Sequence, residues 1–292
     1  MIKPILNKLF WGVFRHFLSD KQYAKFRYWL EFGRVPDIEN PERFTEKIQH
    51  IKLYQRTELR KLVADRIRVR SYVAEKIGEK HLIPLIGNYD QLTKEVWRTL
   101  PEKFVLKANH GCKMNKIVSQ KNEEAFQEVQ KLTTEWQELD YSSIGREWVY
   151  KDLPRTIVVE ELLKNAEGKI PKDYKFFCFH GKVELVQVDF DRYENHSRNL
   201  YDRDFNLLPV RLVHENYEGN IVKPSQLDQA VMIAETLSAD FDFIRVDLFL
   251  IKGTVFFGEL TNYPANGFQP FTPDSYDFFF GDKLQLDPVI HS

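Results

Sequence analysis

Arg245, Asp247 and Glu259 sit in the run DFIRVDLFLIKGTVFFGEL, residues 242–260, on two segments otherwise rich in Val, Ile, Leu and Phe. That composition predicts two β-strands, and Gly253 between them predicts a tight antiparallel hairpin. Alternate strand residues share a face, which groups Arg245 with Asp247 and Glu259 with Thr261. With Lys252, Gly253 and Thr254 as the loop, Asp247 lies opposite Glu259, and a one-residue slip would send them to opposite faces. Side-by-side carboxylates repel unless a cation neutralises them. Oxygen ligands at that spacing suit Mg²⁺, which takes one or two carboxylates and fills its octahedron with substrate phosphates. Arg245 then suits a phosphate oxygen. The competing reading is a structural Arg–Asp pair on a solvated sheet face.

Other residues fit the same chemistry. In FVLKANHGCKMN, residues 104–115, Lys107 ends an apolar strand just before a loop containing Asn109, His110 and Gly111. A lysine supplies a compact charge, and a glycine-containing loop lets backbone N–H groups approach phosphate oxygens; a strand-edge lysine at a turn is the plainer explanation. The run is not a Walker A sequence. TIVVEELL, residues 156–163, puts Glu160 at the end of an apolar strand, an arrangement suited to a flat heteroaromatic ring. In PKDYKFFCF, residues 171–179, Asp173 and Lys175 share a face. In DFDRYENHSRN, residues 189–199, Arg192, His196 and Arg198 could clamp a carboxylate or an acyl phosphate, against the alternative of a solvated basic loop.

The elements that position these residues are legible in outline. Helices are expected over Thr45–Leu53, Leu59–Ile77, Glu123–Leu139 and Leu227–Leu237, and strands over Leu82–Tyr89, Phe104–Ala108, Thr156–Leu162, Tyr174–His180 and Val183–Phe190. Antiparallel hairpins mixed with helices argue for α+β layers rather than a doubly wound parallel sheet. Near the N-terminus Leu6, Leu9, Phe10, Val13, Phe14, Phe17 and Leu18 form one helical stripe, which either docks on the chain's own core or a partner or lies on a membrane surface. The run is too interrupted by Lys3, Lys8 and Arg15 to be a span or a secretory signal.

A formal net charge of −1 gives no electrostatic case for binding nucleic acid. Cys112 and Cys178 stand far apart without a CxxC, which argues against a disulfide framework or zinc knuckle and fits a reducing cytoplasm.

Taken in order, these segments resemble the ATP-grasp fold and, within it, the TupA-like family of bacterial surface-polysaccharide biosynthesis. FTEKIQHIKLY, VADRIRVRSYVAEKIG, LIPLIGNYD, FVLKANHG, DYKFFCFHGK, QVDFDRYENHSRNLYD, RVDLFL and FGELTNYPANGF carry the resemblance, from Phe44 to about Leu284. It implies an N-terminal helical segment over residues 1–40 and an ATP-grasp region over 41–292, with α+β lobes at about 90–155 and 156–285 clamping ATP and Mg²⁺. A carboxylate would be activated as an acyl phosphate and attacked by an amine. Residue by residue, it implies a phosphate-binding Lys107, a phosphate-covering loop over 109–115 and an early basic contact at Arg70. Glu160 and Leu163 match the adenine-binding linker and Asp173 a ribose-binding acid. Asp247 and Glu259 match the metal carboxylates and Arg245 the arginine on the transferred phosphoryl group, with Lys175, His196 and Arg198 alongside. Where the broader fold places a metal-binding Asn, this chain has Thr261, followed by Asn262.

The expected partners are a carboxylate-bearing saccharide and an amine donor, in the cytoplasm, with the N-terminal helix offering contact to the inner membrane face or an assembly complex. A nucleotide-sugar glycosyltransferase is the alternative, for which Asp189 with Asp191, Asp202 with Asp204, and Asp240 with Asp242 supply DxD pairs. A nonenzymatic assembly protein on the same scaffold is a third.

Overall fold

The computed structural model describes residues 10–12, 14–190, 196–219, 221–251 and 253–286. Its helices are α1 (Asp20–Phe32), α2 (Phe44–Tyr54), α3 (Glu58–Ala64), α4 (Arg68–Ile77), α5 (Lys94–Thr99), α6 (Glu123–Glu138), α7 (Tyr141–Gly145), α8 (Leu227–Ser238) and α9 (Ser275–Lys283). Its strands are β1 (Leu85–Tyr89), β2 (Phe104–Ala108), β3 (Asn115–Val118), β4 (Ile157–Glu161), β5 (Asp173–Phe179), β6 (Lys182–Phe190), β7 (Ser197–Tyr201), β8 (Arg211–Leu212), β9 (Phe243–Ile251), β10 (Thr254–Thr261) and β11 (Phe271–Thr272). They form a four-stranded sheet, β1-β4-β2-β3, a five-stranded sheet, β10-β9-β5-β6-β7, and a small β11-β8 pair. Every ladder is antiparallel.

The sequence groups Thr156–Leu162 with the second lobe, but β4 lies inside the first sheet, between β1 and β2. The chain therefore passes from one sheet to the other between Glu161 and Asp173. Nothing local distinguishes the two placements, because a strand's neighbours are set by pairings distant in sequence.

Each sheet packs one face against helices. Phe104, Leu106, Ile157 and Val159 pack under Trp97 of α5 and Phe126, Val129 and Trp136 of α6, which leaves Val105, Lys107, Val158 and Glu160 on the other face. In the five-stranded sheet Phe176, Val186, Ile244, Val246 and Leu248 pack under α8 and the α3–α4 pair. Its opposite face is half covered: Phe177, Phe179, Leu185, Leu200 and Phe243 lie under Phe44, Ile48 and Ile51 of α2 and Phe280 of α9. Burying side chains such as Phe44 and Phe243 contributes about 1.5–3 kcal/mol each. Where that cover ends, the same strands present polar residues.

The helix expected over Leu59–Ile77 is broken in two. Asp65 turns its carboxylate onto the N–H groups of Ile67 and Arg68, at 2.9 and 3.0 Å, ending α3 and starting α4 afresh. Arg66 is thereby turned out of the helical stripe.

Of the N-terminal stripe, Leu6, Leu9 and Val13 lie outside the described residues. Phe10 is fully buried against Tyr23, Tyr28 and Phe268, while Phe14 and Phe17 are exposed. A Ser19–Gln22 capping box starts α1 and a left-handed Gly33 closes it. No helix among the described residues is long and apolar enough to cross a membrane.

Candidate functional site

Asp247 pairs with Glu259 across β9 and β10, by a different route from the loop expected in the sequence. Ile251 pairs with Thr254, so the connection is one residue shorter than Lys252–Gly253–Thr254, and a bulge between Phe257 and Glu259 takes up the difference. The bulge lets Val255, Phe257 and Leu260 all join the α8-side core while Glu259 and Thr261 share the other face with Asp247. Gly258 occupies it, where a Cβ would lie 2.9 Å from the Asp247 carbonyl oxygen.

On that face the side chains form a row of alternating charge across all five strands. The Arg245 guanidinium donates to both Asp247 oxygens at 2.6 and 2.7 Å, to Glu259 Oε1 at 3.2 Å and to Thr261 Oγ1 at 3.0 Å. Thr261 donates in turn to Glu259 at 2.9 Å. Lys175, opposite Asp247 in register, stands 3.5 Å from Asp247 Oδ2 and 3.9 Å from Asp189 Oδ2, and also pairs with Asp173. Asp189 accepts from Arg198 Nε at 2.6 Å, from Gln187 at 3.0 Å and lies 3.1 Å from His196 Nε2. The row thus brings together Arg245, Asp247, Glu259, Thr261, Lys175, Asp173, Arg198 and His196. Arg192, expected beside them, lies outside the described residues.

Burial acts to raise the Glu259 carboxyl, but Arg66 and Arg245, with the Thr261 hydroxyl, outweigh it and hold it down to about 2. Burial acts to lower the Arg245 pKa and the Asp247 and Glu259 charges reverse that, so it is raised and stays cationic.

A second cluster sits on the opposite face of the four-stranded sheet, where Val158 and Glu160 are buried. Glu160 receives Lys107 at 2.6 Å on one oxygen and Arg70 at 3.2 Å on the other. Arg70 also donates to the Ile83 carbonyl at 2.9 Å. Leu163 is half-buried in the segment leading from β4 to β5.

The residues of the loop after β2 are placed unequally. Asn109 is buried, donating to the Pro154 carbonyl at 3.2 Å and accepting the Arg66 backbone N–H at 2.8 Å. His110 is buried away from both clusters, with Nε2 2.8 Å from the Trp136 carbonyl, and burial lowers its pKa. Gly111 offers its carbonyl to Arg66 at 3.2 Å; a Cβ there would meet Met114 at 2.4 Å and the Tyr141 ring at 2.6 Å.

Sequence reasoning passed over Arg66, and weighed Asp189 only as part of a DxD pair with Asp191. Arg66 donates to the Ala108 carbonyl at 3.0 Å and reaches Glu259 Oε2 at 3.6 Å, tying the end of β2 to β10. Asp65 was its signal, since an Asp within a helical pattern readily caps a new start. Asp189 is the buried junction of the charge row, and its partners come from strand register rather than from nearby sequence.

Asp247, Glu259 and Thr261 offer only oxygen, the donor type of Mg²⁺. No group of three or more His, Cys, Asp or Glu side chains placed to hold a metal occurs among the described residues, so water and phosphate oxygens would complete the octahedron. Asn262 is turned away, accepting from Arg60 at 3.3 Å and donating to its carbonyl at 2.9 Å.

The family model described as TupA-like ATPgrasp matches residues 46–285. The chain belongs to the TupA-like ATP-grasp family. No curated protein matches it significantly. Among solved structures, a D-alanine–D-alanine ligase from Bacillus anthracis is 16% identical with a TM-score of 0.43, covering 69% of this chain and 57% of that one. The Helicobacter pylori D-alanine–D-alanine ligase is 14% identical with a TM-score of 0.42, covering 84% and 69%. The N5-carboxyaminoimidazole ribonucleotide synthetase of Thermus thermophilus is 12% identical with a TM-score of 0.41, covering 80% and 53%. This TupA-like chain therefore spans little more than half the length of the Bacillus and Thermus chains.

Proposed function

We propose that the protein is an ATP- and Mg²⁺-dependent carboxylate–amine ligase, and that its acceptor is a carboxylate-bearing component of a surface polysaccharide. The charge row from Glu259 through Arg245 and Asp247 to Lys175 carries this reading. Such a row matches what phosphoryl transfer to a carboxylate needs, which is positioning and charge neutralisation rather than a protein nucleophile. Asp247 and Glu259 would hold Mg²⁺, which supplies charge stabilisation to the phosphates. Lys107 and Arg70 would leave Glu160 to meet phosphate oxygens, while Arg245 and Lys175 steady the transferred phosphoryl group. Arg198 and His196, at the β7 end of the row, suit the carboxylate that becomes the acyl phosphate. The polysaccharide assignment rests on family membership alone.

The described aspartates of the glycosyltransferase alternative are engaged within the chain, as Asp247 and Glu259 are by Arg245. Asp189 is held by Arg198 and Gln187, Asp202 caps its own turn at Asp204 and Asn206, Asp240 pairs with Lys76 at 2.7 Å and Asp242 pairs with Arg60. Asp191 lies outside the described residues.

The test is thermal unfolding with Mg·ATP and, in parallel, with Mg²⁺ or Mn²⁺ plus nucleotide sugars. Ligand at about 100 times Kd stabilises by about 2.7 kcal/mol, a shift of several degrees. A shift with Mg·ATP that disappears in Asp247→Asn is the expected result. A shift with a nucleotide sugar alone would refute the ligase reading, and no shift with any nucleotide would favour the nonenzymatic scaffold.

A further inference from the structure

Residues 1–19 carry Lys3, Lys8 and Arg15 and no acidic residue, in a chain whose formal net charge is −1. Between and after those cations the run is apolar, with Phe10, Trp11, Phe14, Phe17 and Leu18 close together. The chemistry proposed above makes no use of it. A basic, aromatic, acid-free run in an otherwise acidic chain has the composition of a segment that lies on an anionic surface.

The structure divides this run into a docked part and a presented part. Phe10 is fully buried, its ring centroid 5.2 Å from that of Tyr23 and 5.3 Å from that of Phe26. On a continuous helix residue 14 lies over residue 10 and would follow it into the core. Instead Phe14–His16 form a 3₁₀ turn, closed by the Phe17 N–H on the Phe14 carbonyl at 3.0 Å, and none of its side chains is buried. Phe14 is 43% exposed and Phe17 83%. A phenyl ring that is four-fifths in water gains almost nothing from its own fold.

The backbone behind these rings is fastened to the body. Arg146, itself at φ 55°, donates to the Arg15 carbonyl at 2.7 Å and to the Leu18 carbonyl at 3.3 Å. Asp20 accepts from Arg56 at 2.7 Å and from Arg146 at 3.5 Å, and Tyr23 donates to the Ile144 carbonyl at 3.0 Å. The exposure of Phe14 and Phe17 is therefore a built feature of the fold. Two guanidinium groups lie over the Trp11 ring beside them, Arg27 at 4.8 Å from its centroid and Arg15 at 5.6 Å. Arg27 is paired with Glu31. Arg15 Nε reaches only the His16 ring, at 3.3 Å, and has no carboxylate partner among the described residues.

Exposed rings and an unneutralised cation on one turn ask for hydrocarbon and negative charge together. An anionic bilayer offers both, and it needs no recess shaped to rings that stand clear of the protein. We propose that this turn docks the protein on an anionic lipid surface, with Phe14 and Phe17 entering the boundary between headgroups and acyl chains and Arg15 meeting lipid phosphates. Lys3 and Lys8 supply further charge of the same sign in the same run. The attachment is peripheral: no helix among the described residues is long and apolar enough to cross a membrane. It is also independent of the ligase reading.

The test is co-sedimentation of the full chain with vesicles of phosphatidylcholine alone and of phosphatidylcholine with about one-third phosphatidylglycerol. Binding to the anionic vesicles and not to the neutral ones is expected at about 0.1 M NaCl, falling about tenfold at about 0.5 M. Phe14→Ser/Phe17→Ser should weaken it at least about tenfold, and Arg15→Gln about fivefold. The three side chains are outside the core, so both variants should melt with wild type. Equal binding to the two vesicle types, equal binding by wild type and the double variant, or no binding at all overturns the proposal. So does a wild-type dimer in sedimentation velocity that dissociates in the double variant while vesicles capture neither protein, which would assign the face to a second copy of the chain.

Discussion

Arg245→Met isolates what the guanidinium does. Arg245 contributes two bonds to Asp247 and one each to Glu259 and Thr261, and both carboxylates stay on one sheet face without it. Orphaning one member of a buried ion pair costs about 3–5 kcal/mol. Here Asp247 keeps Lys175 at 3.5 Å and Glu259 keeps Arg66 at 3.6 Å, so the expected loss is smaller, about 2–3 kcal/mol. Urea denaturation at neutral pH measures it. Millimolar Mg²⁺ should restore much of the loss in the variant and change wild type little, because wild type already carries a cation between its carboxylates. The pH dependence has a definite sign. Glu259 is held at about 2 against an ordinary 4.5, so its contribution is present above the unfolded value and lost as pH falls through the folded one. Without Arg245 its folded pKa rises, so the variant's deficit is full at neutral pH and shrinks as pH falls below the ordinary glutamate value. Equal stability of the two proteins at neutral pH, or equal stabilisation of both by Mg²⁺, would refute the reasoning.

Lys107→Met should weaken Mg·ATP binding about tenfold, or about 1.4 kcal/mol, by calorimetry, while Glu160 keeps Arg70 and the fold stays intact. Gly258→Ala places a Cβ 2.9 Å from the Asp247 carbonyl oxygen and 3.2 Å from the Phe249 ring; the expected cost is about 1–3 kcal/mol by urea denaturation, with weaker Mg·ATP binding because Asp247 must move. Cys112, raised to about 11 by burial first and then by Glu147, should resist iodoacetamide in the folded protein at neutral pH and react in urea. Cys112→Ser should leave Mg·ATP binding unchanged, as measured by the same calorimetry.

The β9–β10 hairpin was legible because period-two alternation of Arg245, Asp247, Glu259 and Thr261 against Val, Leu and Phe is a local property. Even there, the route to the register was not: a short turn and a bulge give the same pairing as a longer turn and a regular ladder. Membership of β4 in the first sheet, and with it the Lys107–Glu160 contact, depends on strands from distant parts of the chain. The place of Asp189 in the charge row, and the burial of Glu147, were hidden for a related reason. An acidic residue becomes unusual only when tertiary packing takes its water away, and neither DFDRYENHSRN nor GREWVY records what packs over it. Asp65 was readable as a cap, but the apolar period continues on both sides of it and overrode the signal.

The break at Asp65 has a mechanical consequence. One guanidinium, that of Arg66, donates to carbonyls at and after the end of β2 and stands 3.6 Å from the carboxylate on β10, so it ties the two sheets together through a charge contact on Glu259. Whatever shares that carboxylate therefore competes with this contact. A divalent ion on Glu259 would loosen the tether, and its departure would tighten it.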